Sequence, residues 1–406
     1  MHLISIMTAT SELPGWTGYI YPNEFELQWE LLIVLYPYLT GLVAGAFILA
    51  SLERVFNVKV LQPVYRLSLL TALSFLIVAP LPLLAHLGRP DRFYEMFLTP
   101  HTASAMAMFG FVYAWYLMVV LLLEIWFDYR KDIVIWSRTK KGFVKYVYKI
   151  LTLGTTDISE NAVKFDNKIG KIITIIGIPS AFLLHGYVGF IFGSVKANPW
   201  WSSVLMPIVF LFSAIVSGIA LVLLVYTITA LIKFKKTSMN CINKLAEFLL
   251  YAMIVDFSLE LLDFIQRLYE SEESIHILSQ MISNRLFISL IVTQIMLGTV
   301  VPMVSIIMAR FGKLPDELKR LLYFIAAILV QIGIFSTRWN VVLGGQLFSK
   351  SLRGLTVYKM ELLGLEGILM TVFLLILPFV ILFVMSRILP MWSESNEEIS
   401  LFSAKG

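Results

Sequence analysis

The groups able to do chemistry in this chain are few, and most sit inside or beside long apolar runs. His86-Leu-Gly-Arg-Pro-Asp-Arg92 crowds four ionisable groups into seven residues. Gly88 and Pro90 would end a helix there. His86, Arg89, Asp91 and Arg92 then either line the mouth of a pocket or clamp a partner, or simply mark a helix stop in headgroup water. Leu184-His185-Gly-Tyr187-Val-Gly189 lies within an apolar stretch. An ionisable group at membrane depth is costly and by default points to function. A histidine and a tyrosine two positions apart offer two hydrogen-bonding groups to a buried polar ligand, and a quinone head group with two carbonyl oxygens fits. The plainer alternative is a histidine satisfied by a neighbouring helix carbonyl.

Asp256, Glu260, Asp263 and Arg267 share one face of a helix, within about 60° of one another at 100° per residue. Such a stripe must face protein or water rather than lipid. It suits a proton relay through Asp256, Glu260 and Asp263, or equally an ion-paired seam in which Arg267 neutralises a carboxyl. Arg338-Trp-Asn340-Val-Val-Leu-Gly-Gly-Gln346, followed by Lys350, Arg353 and Lys359, reads as a long polar connection that docks a partner through Arg338, Asn340 and Gln346 or folds back as a lid. No metal site is expected. Cys241 is the single cysteine, and an iron–sulfur cluster needs about four thiolates. Of the five histidines only His185 is clearly intramembrane, with His86 and His101 at helix ends. That is too few for a dihaem cytochrome b, which needs about four axial histidines.

These residues must be positioned by helices. The chain has 406 residues, 58% hydrophobic and 15% charged, with mean hydropathy +0.82. Soluble domains carry about 25% charge. The bilayer must therefore be the solvent, and the fold class is all-α, a polytopic transmembrane helix bundle. Spans of about 20 apolar residues are expected at 29–53, 64–87, 103–126, 169–193, 203–232, 246–268, 286–310, 318–337 and 365–389. That makes about nine, with eight or ten also compatible. Residues 1–28 form an N-terminal segment without a signal-peptide pattern, 29–389 the membrane domain and 390–406 a tail. Lys and Arg concentrate in the odd connections, as at Arg54, Lys59 and Arg66, Lys140 to Lys168, Lys233 to Lys244, and Arg310 to Arg320. The sixth connection is acidic (Glu270, Glu272, Glu273). The odd connections are thus expected in the cytoplasm, with the N-terminus outside and the C-terminus inside. The basic third connection reflects this bias or binds something acidic; nothing points to nucleic acid. Gly41, Ala44, Gly45 and Ala46 suit close helix packing.

Together these stretches resemble the NrfD/PsrC family, the quinone-reactive membrane subunits of molybdopterin oxidoreductases. The matching features are Tyr36-Pro-Tyr-Leu-Thr-Gly-Leu-Val-Ala-Gly-Ala46, His86 to Arg92, Pro100 with Ser104-Ala-Met106, His185-Gly-Tyr187-Val-Gly189, Trp201 with Pro207, and Arg338 to Gln346. The resemblance implies a haem-free subunit that binds a menaquinone-type quinone near the outer face, in a four-helix bundle made by the first four helices. It also implies a multi-cluster, ferredoxin-like iron–sulfur subunit and a molybdopterin catalytic subunit docked on the extracytoplasmic side. The quinone contacts carry over to Tyr187 with His185 beside it, and to His86 and Arg89. A polysulfide-reducing relative uses an Asn and a His at the start of its first helix. Gln28, Trp29 and Glu30 stand there instead, so Glu30 or Tyr36 would substitute. The competing readings are a haem b-type quinol-oxidising subunit and a secondary transporter. The latter would account for buried carboxyls but not for the lack of paired interrupted helices in two matching halves.

Overall fold

The computed structural model describes residues 17–391, apart from Phe25, Thr102, 234–236, 271–273 and the side chains of Ala105 and Met106. Residues 1–16, most of the expected C-terminal tail, Lys235, Lys236, Glu272 and Glu273 lie outside the described residues.

Among the described residues the apolar runs fold into nine long helices: α1 (Leu31–Arg54), α2 (Lys59–His86), α3 (Ala107–Thr139), α4 (Glu160–Gly193), α5 (Met206–Ile232), α6 (Met239–Glu270), α7 (Ile275–Phe311), α8 (Asp316–Val342) and α9 (Ile368–Ile388). All but α6 are long and apolar enough to cross a membrane, so the chain is a multi-pass helical membrane protein. The ionisable residues of α6 set it apart, yet it runs the full length of its neighbour. Its start is held at the end of α5, where the Tyr226 hydroxyl accepts from the Ser238 N–H (3.1 Å). Its far end returns to the start of α5, where Asp263 accepts from Ser203.

Several helices run beyond their apolar cores. Charged first and last turns extend α3 to Thr139 and α4 back to Glu160, and α8 continues five residues past 337 to Val342. Residues Ile282–Val300 of α7 wind as a wide π-helix of 19 residues, an unusual length for a form found mostly as single turns.

Helix α1 is the centre of the bundle. It packs against α2, α4, α5 and α8, and nearly all its residues are buried. Gly45 permits this: a Cβ there would meet the Ala214 carbonyl and lie 2.8 Å from the Gly218 Cα. In contrast α9 is peripheral, with Phe373, Val380 and Phe383 on a lipid-type surface.

At the end of the bundle carrying His86, the connection after α8 folds back over the helices. Gly354–Leu355 (β2) pairs antiparallel with Thr17–Gly18 (β1), Thr17 opposite Leu355. Glu24 accepts from the Lys350 N–H (3.0 Å) and from the Ser349 hydroxyl. Gln346 bridges the Trp29 N–H and C=O (3.0 and 2.9 Å). At the opposite end, a short helix Phe143–Leu151 lies against the bundle through Tyr148, whose hydroxyl donates to the Ile388 carbonyl (2.7 Å).

Candidate functional site

Helix α4 carries His185 and Tyr187, and the helix itself separates them. Two positions are about 200° apart around an α-helix, so the two side chains leave on opposite sides. The expected side-by-side pair is therefore corrected to two different environments.

His185 points into the bundle and is 0% exposed. Gly41 makes the room, since a Cβ there would come 3.1 Å from the ring's Cε1. The imidazole stacks on Phe210 (5.7 Å). Its Nδ1 lies 3.3 Å from the Thr40 hydroxyl and its Nε2 lies 3.2 Å from Arg338 Nη2. A guanidinium has donors only, so Nε2 accepts from it and Nδ1 carries the ring proton toward Thr40. Thr40 passes its own hydrogen to the Tyr36 carbonyl (3.2 Å).

Arg338 and Asn340 were expected in an exposed docking loop, and the structure corrects both. Arg338 is 0% exposed inside α8, its guanidinium 4.2 Å over the Phe210 ring and its Nη2 2.5 Å from the Ser213 hydroxyl. Its Nε and Nη1 find no hydrogen-bond partner among the described residues. Asn340 is 2% exposed. Gln346 is occupied in holding Trp29, as described above, which likewise removes it from a docking surface.

Tyr187 points the other way. It is half-buried, stacked beside Phe190 (6.1 Å), and within electrostatic range of Tyr36. Tyr36 is buried edge-on to Phe109 (5.0 Å), and its hydroxyl has no hydrogen-bond partner among the described residues. Phe109 in turn forms part of the wall of a cavity of about 500 Å³ between the His86 ends of α2 and α3. Its walls are apolar, with Leu83, Leu87, Ala107 and Met96, and its rim carries Arg89, Arg92, Glu95 and His101. Arg89 pairs with Asp91 (3.2 Å) and Arg92 with Glu95 (2.7 Å), both in exposed positions.

His86 and Glu30 sit together but outside that cavity. His86 Nδ1 is 2.7 Å from a Glu366 oxygen, joining α2 to the turn before α9. Burial, then the Glu366 and Glu361 carboxylates, hold the Glu30 carboxyl above the usual range. The Tyr358 phenol is pushed up to about 12, by burial first and then by Glu30.

The carboxyl stripe of α6 divides by its partners. Asp263 is committed to Arg267 and the Ser203 hydroxyl, which is the ion-paired seam and removes it from the expected relay. Glu260 accepts from Gln294 Nε2 (3.1 Å), and Gln294 Oε1 accepts from Asn340 Nδ2 (2.7 Å). Asp256 is buried with Oδ1 unpartnered among the described residues. Asp256 and Glu260 both act electrostatically on Arg338, and both border a void of about 10 Å³, the size of one water. A polar line thus runs from Thr40 through His185 and Arg338 toward α6.

A second buried cluster, at the Arg54 end, is absent from the sequence reading. Asp128 bridges Arg54 (3.0 Å) and Arg66 (2.8 Å). The fully buried Glu124 accepts from Thr174 (2.8 Å) and Tyr65 (3.4 Å). The signal was available as carboxyls in the last turns of an apolar run. Among the described residues no three His, Cys, Asp or Glu side chains group as metal ligands.

A family model described as "Polysulphide reductase, NrfD" matches residues 22–350, which takes in the site residues above except Tyr358, Glu361 and Glu366. A selenate reductase subunit of Mesobacillus selenatarsenatis is 33% identical over 78% of this chain and 73% of its own. A putative dimethyl sulfoxide reductase membrane subunit of Halobacterium salinarum is 31% identical over 49% of this chain and 42% of its own. Protein NrfD of Escherichia coli is 28% identical over 50% of this chain and 62% of its own.

Proposed function

Because the chain belongs to the NrfD polysulphide reductase family, and its relatives include subunits of reductases, we propose that it is the quinone-reactive membrane subunit of an oxidoreductase complex. Its ligand is a menaquinone-type ring held in the cavity between α2 and α3. Electrons pass between that ring and a docked iron–sulfur subunit, itself joined to a molybdopterin catalytic subunit. The His86 end faces the outside.

The observation that carries this reading is the unpartnered Tyr36 hydroxyl. A buried donor left unsatisfied costs about 1–3 kcal/mol; the hydroxyl lies behind Phe109 and not in the cavity wall itself, so a quinone carbonyl would satisfy it by reaching past that ring. Tyr187 on α4 lies outside the cavity's lining but within electrostatic range of Tyr36, on the same side of the site. Apolar walls and a few converging polar groups are what a small-molecule site of about 300–1,000 Å³ usually shows. When bound, the quinone supplies the two-electron, two-proton chemistry. This chain's residues bind the ring, exclude water and hold protons. Arg89 and Arg92 at the rim favour entry of electron-rich carbonyls and face the partner. His185 and Arg338 lie behind the site, where Asp256 and Glu260 connect them toward the opposite membrane face.

A haem-ligand role fits His185 poorly, since both ring nitrogens already have partners and Nε2 faces a cation. A transporter reading has no specific observation in its favour.

The test uses the intact complex. Tyr36→Phe and Tyr187→Phe each lower quinol-linked turnover about tenfold or more, the worth of one hydrogen bond of about 1.4 kcal/mol. Turnover of the catalytic partner with an artificial dye stays unchanged. Wild-type quinol turnover in both variants would sink the assignment.

A further inference from the structure

At the Arg54 end of the bundle a short helix stands outside the packed core. Residues Phe143–Leu151 form it, after the end of α3 and a turn at Gly142 whose φ of +68° suits glycine. Contacts with two spans fix its depth. The Tyr148 hydroxyl donates to the carbonyl of Ile388, the last residue of α9, and its ring lies 5.2 Å from that of Trp136 on α3. Trp126 Nε1 donates to the Leu151 carbonyl (2.9 Å), and Trp126 stands in α3 just before the charged turn Asp128 to Asp132. The helix therefore lies at the level where α3 and α9 leave the apolar layer.

Its three sides differ. Tyr148 faces the bundle and is buried. Phe143, Tyr146 and Ile150, at i, i+3 and i+7, share a second side and stand 82%, 65% and 73% exposed. Leu153, just past the helix, is exposed as well. Lys145 and Lys149 lie about 110° around from that apolar side at 100° per residue, and Lys140 and Lys141 precede the helix. All four lysines are exposed. From Ile133 to Thr156 the chain has no Asp or Glu, and the flanking acids are engaged. Asp157 accepts from the Ser159 N–H (2.8 Å). Asp132 pairs with Arg66 (2.8 Å), Asp166 with Arg130 (2.6 Å) and Glu160 with Lys164 (3.0 Å), which leaves the four lysines without an ion pair among the described residues.

Topology alone places lysines at one end of a membrane bundle, but it gives no reason for Phe143 and Ile150 to stand uncovered beside them. An apolar side and a basic side on one short helix at this depth match a helix lying in the bilayer interface. There the apolar side dips into the acyl boundary and the cations meet phosphates. Tyrosines such as Tyr146 favour the same level. We propose that Lys140 to Leu153 is a docking surface for the phosphodiester headgroups of anionic phospholipids. Phe143, Tyr146 and Ile150 sit among the acyl chains, and Lys140, Lys141, Lys145 and Lys149 face the phosphates. The surface stands on the geometry of this helix and is independent of the quinone reading.

The test is photolabelling of the intact complex in phosphatidylcholine nanodiscs. A trace of diazirine-tagged phosphatidylglycerol or of phosphatidylcholine tagged at the same acyl carbon is included, and labelled peptides are mapped by mass spectrometry. In the wild type the phosphatidylglycerol probe labels 138–156 at least about fivefold more than the phosphatidylcholine probe, the worth of one lysine beside an anionic headgroup. Raising the salt to about 0.5 M removes most of that preference, because exposed charges are screened. Lys140→Gln, Lys141→Gln, Lys145→Gln and Lys149→Gln combined bring the two probes level, whereas Arg at the same four positions keeps the preference. Phe143→Ser with Ile150→Ser lowers labelling by both probes. Equal labelling by the two probes in the wild type, or an undiminished preference in the Gln variant, overturns the proposal. So does a wild-type helix labelled by neither probe, which would mean that a protein partner covers it.

Discussion

Replacing Arg338 by Met tests the polar line directly, because Met keeps most of the side-chain volume and removes only the charge and its donors. In the wild type the guanidinium hydrogen-bonds Ser213 and His185, lies on Phe210, and is within electrostatic range of Asp256 and Glu260. Arg338 acts on the two carboxyls without a direct ion pair among the described residues, so the loss of about 3–5 kcal/mol typical of a broken buried pair is the upper limit. At that limit the folded-to-unfolded ratio falls roughly a hundredfold or more. The expected result is a large fall in the thermal midpoint of the detergent-solubilised complex. The reasoning also predicts rescue: in Arg338→Met with Asp256→Asn, the buried carboxylate is gone too, and most of the loss is recovered. The double-mutant cycle should show a coupling above about 1 kcal/mol, beyond the additivity of independent sites. The proposed iron–sulfur partner should stay attached in the rescued double variant, because Arg338 is buried inside α8. A single-variant loss under about 1 kcal/mol, or simple additivity, would refute the electrostatic role assigned to Arg338.

Gly41→Val pushes against the His185 ring, which a Cβ already approaches to 3.1 Å, and should cost about 1–3 kcal/mol as an overpacked core; a wild-type melting curve would show that His185 has room to move. Gln346→Ala frees Trp29 from the turn after α8 and should speed limited proteolysis within 347–367, and an unchanged digestion pattern would count against the folded-back lid. Glu30 has a raised folded-state carboxyl, so its contribution to stability is present below the ordinary value of about 4.3 and lost as pH rises through the raised one. Glu30→Gln should therefore melt above wild type near pH 8 and match it near pH 4 (both approximate settings for this linkage), and a lower melting point at the higher pH would contradict the like-charge cluster with Glu366 and Glu361.

The spans are legible in the sequence because burial in lipid needs long apolar runs, and nothing subtler than run length decides that. The helix ends are less legible. A charged residue reads as the end of a span unless its partner is known, and the partners of Arg338 stand far off in sequence, His185 by 153 positions and Ser213 by 125. The run therefore reads as closing at 337, which puts two interior residues on the surface. The separation of His185 from Tyr187 follows from helical period alone and is open to a sequence reading. So is the Asp263–Arg267 pair, an i,i+4 spacing. The cavity between α2 and α3 is legible only as a polar helix end, because its walls come from a short loop whose return path no periodicity sets. The unpartnered state of the Tyr36 hydroxyl exists only in the packed structure.

The two halves of the bundle meet at one cation, and that has a mechanistic consequence. His185 is a neutral acceptor toward Arg338, and the carboxyls that act on the guanidinium are Asp256 and Glu260 on α6. Adding a proton to either carboxyl removes part of that influence and strengthens the pull of Arg338 on His185 Nε2. The opposite nitrogen bonds Thr40, whose own hydrogen goes to the Tyr36 carbonyl, one residue's backbone away from the hydroxyl proposed to hold the quinone. A proton on α6 and a ligand at Tyr36 are thus linked through a chain of hydrogen bonds and one buried charge, and linkage between two sites is reciprocal. Quinone occupancy should then shift the pH dependence of turnover in the wild type, and Asp256→Asn should remove that shift while leaving quinone bound. If the pH profile of Asp256→Asn still moves with quinone concentration as in the wild type, the coupling does not run through Arg338.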